Sequence, residues 1–341
     1  MIFGLLATAT VEIDHATSRL SEWFNTVAES TWSASGLEAS ERPEQNAELL
    51  KGILSAKSAA EAPTALTVGR LGFGPGAPFR LMYMPLRGLG DLPQLCLHYY
   101  EADYTMLHVG SAHMKELKPL LPFGRLPLLL APADQSPGSI FPLAQSGAIV
   151  RHVFREQKMP SNQLMAEADM WFEQVKEAFG QHQTWGKAFN ATALREATPS
   201  EVEAVKGLHY RGMRNRGVSY SPLEMSIAAL HTFEERLGAT QSHLTSNHLH
   251  SGDGEKVTFA DLALFLQLFE LLEDDNYPQA LTALQLPNLA RFFSQLAREE
   301  RIVEFLQYKR PPRNGPHDGT SYPFKPGKTA AAAAAALHDE L

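Results

Sequence analysis

The chain has 341 residues, of which 44% are hydrophobic and 20% charged, and its formal net charge is −8. This length predicts about two domains in an ordinary globular protein. The acidic balance argues against general nucleic-acid binding, which needs a basic face. A single cysteine, Cys96, excludes an intrachain disulfide, and no apolar run reaches the roughly 18 residues of a membrane-spanning helix.

The two ends of the sequence carry opposing signals about localisation. The last four residues, His338-Asp339-Glu340-Leu341, match an endoplasmic-reticulum retention signal. The apolar stretch from Ile2 to Val11 has no Lys or Arg before it and makes a poor signal peptide. Together these features favour the cytoplasm, with the lumen of the endoplasmic reticulum as the alternative.

Residues 1–78 are predicted to be an N-terminal extension, partly helical or disordered. Apolar residues recur near helical spacing between 11 and 30, and a weaker helical pattern occupies 44–57. A Gly- and Pro-rich stretch at 72–78 then predicts a linker to the folded body.

Residues 79–153 have the pattern of an α/β unit. The apolar run 81–84 predicts a strand, and glycines and prolines break it before a helical pattern begins. A second strand is predicted at 104–109. Tyr83 therefore falls at the carboxyl end of a strand, the edge of open α/β sheets where ligands bind. The alternative is a core tyrosine before a turn.

The rest of this unit contains signals for the start of a third strand and of a second helix. An apolar run follows Arg125 and predicts a third strand that begins at Pro127. A proline is tolerated there at the first residue of a strand or in a special turn, such as one with a cis Leu126–Pro127 bond. Pro137-Gly138 predicts a hairpin turn, and Gln145-Ser146 opens a helix with Ser146 as its N-cap.

Residues 160–311 are predicted to be all helical, and 312–341 to be a flexible tail ending in HDEL. Helical periodicity covers 164–179, 223–237 and 289–306, whereas 183–221 is predicted to be irregular. Thr258 and Asp261 have the spacing of a capping box, with apolar residues on both sides as a hydrophobic staple. The helix after them is apolar on nearly every side, which predicts the buried centre of its domain.

An α/β unit followed by an all-helical domain, with these motifs, resembles the cytosolic glutathione transferase family over about residues 80–312. The resemblance implies an α+β two-domain fold: a thioredoxin-like α/β N-terminal domain and an all-helical C-terminal domain. Four motifs carry it. They are Leu81 to Gly88, like the catalytic loop of the tyrosine-type pi and sigma classes; Lys118 with Phe123 to Pro127, like the glutathione-binding loop; Gln145-Ser146, like the γ-glutamyl site; and Thr258 to Asp261, like the family's capping box.

The resemblance implies that Tyr83 is catalytic. A neutral phenol, which titrates near 10, can donate a hydrogen bond to the thiolate of bound glutathione and so favour the ionised thiol. The implied activity is conjugation of reduced glutathione, as co-substrate and without a metal, to hydrophobic electrophiles. A homodimer is implied too, with neither nucleic acid nor a membrane span. The alternative is a catalytically weak binding or structural protein.

The resemblance also implies how glutathione would bind. Ser146 and Gln145 would hold the γ-glutamyl carboxylate at a helix start, where main-chain N–H groups favour anions. Leu126 would pair with the cysteinyl backbone through its main-chain N–H and C=O, and Pro127 would shape that turn.

Three positions of the binding motifs involve charged residues. Lys118 would offer a cation to the glycyl carboxylate. Arg125 stands where the family commonly has glutamine, and arginine can hold a carboxylate through two contacts. Glu177 falls where a partner-subunit aspartate reaches the γ-glutamyl amine. Ala112 replaces a tryptophan that is usual in the pi class, which together with the extension and the 183–221 insertion motivates the binding-protein alternative.

Cys96 is not predicted to take part in the chemistry. The sequence has no C-x-x-C motif, and position 83 is tyrosine rather than cysteine or serine. Both observations argue against a thiol-disulfide oxidoreductase of the glutaredoxin or omega type. Cys96 is predicted to be a buried, inert thiol in the helix after the catalytic loop.

Overall fold

The computed structural model describes residues 79–84, 86–109, 114–132, 140–179, 194, 197–205, 221–241, 249, 257–273, 281 and 284–310. The predicted extension, the hairpin turn, position 112 and the HDEL tail lie outside these residues. The described residues fall into two compact units. The first contains 79–159 together with 300–310, and the second contains 160–299.

The first unit is built on a four-stranded sheet in the order β2-β1-β3-β4. Strands β1 and β2 are parallel, and β3 is antiparallel to both β1 and β4. Its elements are β1 (Phe79–Tyr83), α1 (Asp91–Tyr99), β2 (Tyr104–His108), α2 (Met114–Leu117), β3 (Leu128–Pro132), β4 (Ile140–Ala144) and α3 (Ser146–Lys158). This β-α-β unit followed by a β-hairpin and a helix is a thioredoxin-like arrangement, as predicted.

The core of this unit explains why these segments form strands. Leu128, Leu129 and Leu130 are fully buried, because β3 lies between two other strands and is covered on both faces. The peptide bond between Leu126 and Pro127 is cis, so the predicted special turn is confirmed. The strand begins one residue later than predicted, at Leu128.

The second unit is all helical in the described residues. Its helices are α4 (Asn162–Phe179), α5 (Pro199–Val205), α6 (Pro222–Gln241), α7 (Phe259–Glu273) and α8 (Pro287–Leu296). Helix α7 is the buried centre, as its uniform hydrophobicity predicts. Its Phe265 stacks on Phe293 of α8, with ring centroids 4.9 Å apart, and Phe259 meets Phe172 of α4 edge-on at 5.4 Å.

One half of the predicted capping box is present at the start of α7, the bond from the N-cap N–H to the acidic side chain. The Thr258 carbonyl accepts the first helical bond, from Leu262 N–H. The Thr258 N–H and hydroxyl both donate to the Asp261 carboxylate, at 2.8 and 2.7 Å. The other oxygen of that carboxylate accepts the N–H of Leu249 at 2.9 Å, so Asp261 also anchors a residue that precedes the helix.

Two element predictions are wrong. The stretch 183–221, predicted to be irregular, contains α5 at 199–205. The predicted single helix 289–306 is interrupted, because the N–H groups of Arg298 and Glu299 bond three residues back and close α8 in a tight turn. The chain then forms α9 (Glu300–Glu304) and a π-helical turn (Phe305–Lys309), both in the first unit.

Candidate functional site

The strand register brings most of the predicted site residues to one edge of the sheet. Met82 pairs with Leu128, and Leu128 pairs with Ala144. The residues one step further along these three strands are Tyr83, Pro127 and Gln145. The carboxyl ends of β1 and β4 and the amino end of β3 therefore meet at the same edge, the one predicted from Tyr83 alone.

Tyr83 is the last residue of β1 and is 6% exposed. Its hydroxyl oxygen accepts a hydrogen bond from the N–H of Leu89 at 3.0 Å. Burial raises the pKa of Tyr83 to about 12, and the Asp91 carboxylate adds to the rise, whereas N–H groups of Leu89 and Gly90 oppose it. Tyr83 is therefore a neutral phenol at physiological pH, and its proton meets no acceptor among the described residues.

Two glycines let the loop between β1 and α1 pass close to Tyr83. A Cβ on Gly88 would lie 2.8 Å from the Tyr83 hydroxyl oxygen. A Cβ on Gly90 would lie 2.4 and 2.5 Å from two carbons of the Tyr83 ring, closer than real Cβ atoms approach. The loop Gly88–Gly90 therefore requires glycine at both ends, and we call it the tyrosine loop.

Ser146 contacts the same loop. Its hydroxyl donates a hydrogen bond to the main-chain oxygen of Leu89 at 2.6 Å. Leu89 thus holds Tyr83 through its N–H and Ser146 through its C=O. The structure brings these two predicted site residues together through the main chain of one residue, although 57 residues separate Leu89 from Ser146.

The predicted N-cap role of Ser146 is wrong. The Gln145 carbonyl accepts the first helical bond, from Ile149 N–H, so Gln145 is the N-cap and Ser146 is the first residue of α3. Gln145 has φ 74° and ψ 118°, a strained conformation for a residue other than glycine. Its side chain is exposed and makes no capping hydrogen bond.

Leu126 lies beside Tyr83 in one buried cluster that also includes Leu128. Its side chain is 8% exposed. Within the described ranges, the main-chain N–H and C=O of Leu126 take part in no hydrogen bond. These two groups are open at the point where the sequence predicts pairing with a peptide backbone.

The charged candidates lie on the surface. Lys118 and Arg125 are both exposed, on the two sides of the short 3-10 turn Pro122–Gly124. Gly124 has φ +62°, and a Cβ there would lie 3.1 Å from Cγ of Lys118, so the turn packs against the lysine stem. Glu177 is an exposed residue of α4 in the second unit, and its predicted role stays a prediction.

Other groups of the first unit can be assigned from burial. Cys96 is fully buried in α1, and burial raises its thiol pKa well above the usual value, so it is the buried thiol predicted. In the parts of the chain described, no group of three or more His, Cys, Asp and Glu side chains is placed to hold a metal ion. No helix within the same ranges is long and apolar enough to cross a bilayer.

Sequence reasoning missed two participants in this site. Leu89 acts through its main chain, so its residue type gives no signal. Asp91, at the first position of α1, is 5% exposed and accepts the Gly88 N–H at 3.1 Å. A signal for it existed, because an acidic residue at the first position of a helix after a glycine loop often bonds the loop's N–H groups.

Fold and site together define a thioredoxin-like domain whose sheet edge presents a neutral phenol, a serine hydroxyl at a helix start, and the main-chain N–H and C=O of one residue, unpaired among the described residues. The family model described as glutathione S-transferase, C-terminal domain, matches residues 228–309. This part of the chain is therefore similar to the C-terminal domain of glutathione S-transferases.

Two curated relatives match about two thirds of the chain. Glutathione S-transferase of Dirofilaria immitis is 25% identical over 232 residues, covering 67% of this chain and 91% of that protein. Glutathione S-transferase P of Caenorhabditis elegans is 24% identical over 249 residues, covering 69% and 97%. Glutathione S-transferase 1 of Ascaris suum is 34% identical over 101 residues, and there the match spans 29% of this chain and 46% of the relative.

A solved structure, the glutathione S-transferase from Ascaris lumbricoides, matches with a TM-score of 0.46 at 21% sequence identity, covering 69% of this chain and 99% of that chain.

Proposed function

We propose that the protein is a tyrosine-type glutathione transferase in which Tyr83 stabilises the thiolate of bound glutathione. The observation that carries the proposal is the state of the Tyr83 hydroxyl. Its oxygen accepts the Leu89 N–H, and its pKa of about 12 keeps the proton on the oxygen. A hydroxyl that accepts one bond and keeps its proton is poised to donate to an anion.

One hydrogen bond from Tyr83 is strong enough to account for most of the ionisation of the glutathione thiol. A thiol with a pKa near 8.5 is only about 3% ionised at pH 7, and the thiolate is the nucleophile. Lowering that pKa by about two units requires about 2.7 kcal/mol of preferential interaction with the anion. One hydrogen bond to a charged group contributes about 1.5–3 kcal/mol, so a single phenol supplies most of the requirement.

In the proposed reaction the glutathione thiol first loses its proton to solvent. The sulfur anion, held by the Tyr83 O–H, then forms a bond to an electrophilic carbon of the second substrate. With an aryl halide, halide leaves with the bonding electron pair, so atoms and charge balance. Tyr83 keeps its own proton throughout and acts as a hydrogen-bond donor rather than as an acid.

Glutathione binding is proposed to use the predicted residues at the sheet edge. The open N–H and C=O of Leu126, beside the cis bond to Pro127, would pair with the cysteinyl backbone. Ser146 and Gln145 would take the γ-glutamyl carboxylate at the start of α3. For this the Ser146 hydroxyl turns from the Leu89 carbonyl, to which it now donates, toward the carboxylate.

The charged residues complete the proposed substrate contacts. Lys118 and Arg125 are exposed cations on the loop that leads to this edge, and they would face the glycyl carboxylate. Glu177 is proposed to act on the γ-glutamyl amine from a second subunit, which requires a homodimer. Phe123, 76% exposed at a positive φ of 56°, is an apolar surface that subunit contact would cover.

The test is turnover of a general aryl-halide substrate by the purified protein, comparing Tyr83→Phe with Tyr104→Phe. Tyr104 is the matched control, because β1 pairs with β2 at Phe79 and Tyr104, which places Tyr104 at the opposite end of the sheet. If Tyr83 lowers the thiol pKa by about two units, its removal reduces the thiolate fraction at pH 7 from about 76% to about 3%, a loss of about 25-fold in kcat. We expect that loss for Tyr83→Phe, little change in KM for glutathione, and normal kinetics for Tyr104→Phe.

One observation favours the second candidate, a glutathione transferase-like binding or structural protein. Both proposed site hydroxyls, Tyr83 and Ser146, are already engaged by the main chain of Leu89. If that arrangement closes the edge, the protein will pass through immobilised glutathione and show no turnover. Full turnover by Tyr83→Phe, in contrast, would remove the phenol from the mechanism while leaving the transferase activity in place.

A further inference from the structure

A buried ion pair adjoins the tyrosine loop. Arg310 and Asp91 are 4% and 5% exposed, and Nε of Arg310 donates to Oδ2 of Asp91 at 2.9 Å. Asp91 is the first residue of α1, and Arg310 directly follows the helical segment 300–309. Buried ions lose their hydration, so such a pair holds only when its geometry is well fixed. The pair is therefore a rigid point next to the loop.

The second oxygen of Asp91 connects this point to the loop. Oδ1 of Asp91 accepts the N–H of Gly88 at 3.1 Å, and the N–H of Asp91 donates to the Gly88 carbonyl, also at 3.1 Å. Between these two residues stands Leu89, which bonds Tyr83 through its N–H and Ser146 through its C=O. A continuous set of bonds thus runs from Arg310 to both site hydroxyls.

We propose that Arg310 is a positioning residue, whose ion pair with Asp91 holds the tyrosine loop where the Leu89 N–H can orient the Tyr83 hydroxyl. Its effect on turnover rests on the proposed function, whereas its effect on the loop does not. Arg310 acts through Asp91 rather than on substrate.

Loss of the Arg310 guanidinium is expected to free the tyrosine loop because it changes the position of the Asp91 carboxylate. Removing one partner of a buried ion pair is strongly unfavourable, so without the guanidinium the Asp91 carboxylate shifts toward other donors or water. Either movement weakens its bond to the Gly88 N–H and frees the loop. The negative charge of Asp91 also reaches Tyr83. Without the Arg310 cation, that charge would disfavour a sulfur anion at the Tyr83 hydroxyl.

The chain offers a matched control on the same segment. Arg301, in α9, forms an ion pair with Glu101 and donates to the main-chain oxygen of Tyr99 at 3.0 Å. These contacts hold the segment to the far end of α1, where Tyr99 lies eight residues from Asp91. Arg301→Gln therefore weakens the attachment of the segment, and Arg310→Gln weakens both the attachment and the loop.

The experiment measures hydrogen exchange of the Leu89 amide by NMR, and steady-state kinetics, for both variants of the full chain. We expect Arg310→Gln to speed Leu89 exchange and to lower kcat about tenfold to a hundredfold, the scale of a small misplacement of reacting groups. We expect Arg301→Gln to leave both values near those of the unmodified protein. If Arg310→Gln does not fold, Arg310→Lys removes the same Nε donor, with smaller changes expected in the same directions.

Two results would overturn the inference. One is equal change in both variants, which would make Arg310 an attachment point for the segment and nothing more. The other is unchanged Leu89 exchange in the Arg310 variant. Faster Leu89 exchange in that variant alone, in a protein whose unmodified form has no transferase activity, would support the inference and refute the proposed function.

Discussion

Gly90→Ala is the sharpest test of how closely the tyrosine loop fits Tyr83. Gly90 has φ −84° and ψ −20°, which alanine adopts freely, so the substitution introduces no backbone strain. It adds one methyl group at 2.4 Å from a ring carbon of Tyr83, whereas ordinary contact begins at 3.4 Å. The ring or the loop must therefore move by about 1 Å.

The ring has little room for that movement. Tyr83 is 6% exposed and packs in a cluster with Leu126 and Leu128. Overpacking of this kind costs about 1–3 kcal/mol of stability. A displacement of about 1 Å at the reacting groups lowers the rate by about 10²-fold. We therefore expect Gly90→Ala to fold with reduced stability and to lose most of its kcat.

The assay pairs aryl-halide turnover with denaturant unfolding, and Gly238→Ala is the control. Gly238 lies in α6 of the second unit, and a Cβ there would lie 2.8 Å from Nδ2 of Asn288, the end of a flexible side chain. Moving that amide weakens its 3.3 Å bond to the main-chain oxygen of Glu234, whereas alanine favours a helix interior by about 1 kcal/mol over glycine. Gly238→Ala should retain full turnover. Full turnover by Gly90→Ala as well would show that the tyrosine loop does not fix Tyr83.

Two further predictions follow from backbone strain and from burial. Gln145→Gly relieves the positive φ of 74° and should raise the unfolding free energy while increasing KM for glutathione; Gln145→Ala should increase KM without that gain. Burial lowers the pKa of His108 to about 4. Between about pH 6.5 and 4, His108 is therefore protonated in the unfolded chain and neutral in the folded protein. Stability should therefore fall as pH drops from about 6.5 to 4, and His108→Gln should reduce that fall in a pH series of unfolding curves.

Local sequence was sufficient where the partners are close along the chain. The bonds between Thr258 and Asp261 span three residues, so this half of the capping box could be read directly. The strand before Tyr83 and the special turn at Pro127 follow from local runs in the same way. The second contact of Asp261, to the N–H of Leu249, joins residues 12 apart in the chain and has no sequence signature.

The wrong predictions arose where hydrogen bonding departs from what residue type or hydrophobic periodicity indicates. Ser146 has the residue type of an N-cap, but its hydroxyl donates to Leu89, which lies 57 residues earlier in the chain. The apolar periodicity of 289–306 continues across a point where the helix ends in a tight turn, because periodicity reports burial and not hydrogen bonding. The ion pair between Asp91 and Arg310 joins residues 219 apart and could not be predicted at all.

The proposed role places two opposing demands on Tyr83. Burial keeps the proton on the phenol, with a pKa of about 12, but burial alone would leave the hydroxyl oxygen without a partner. The Leu89 N–H satisfies that oxygen while leaving the proton to donate elsewhere. Because the donor is a main-chain group, the Leu89 side chain, 42% exposed, has no part in the arrangement. The residues that set the geometry are instead the two glycines, whose missing side chains make room for the ring.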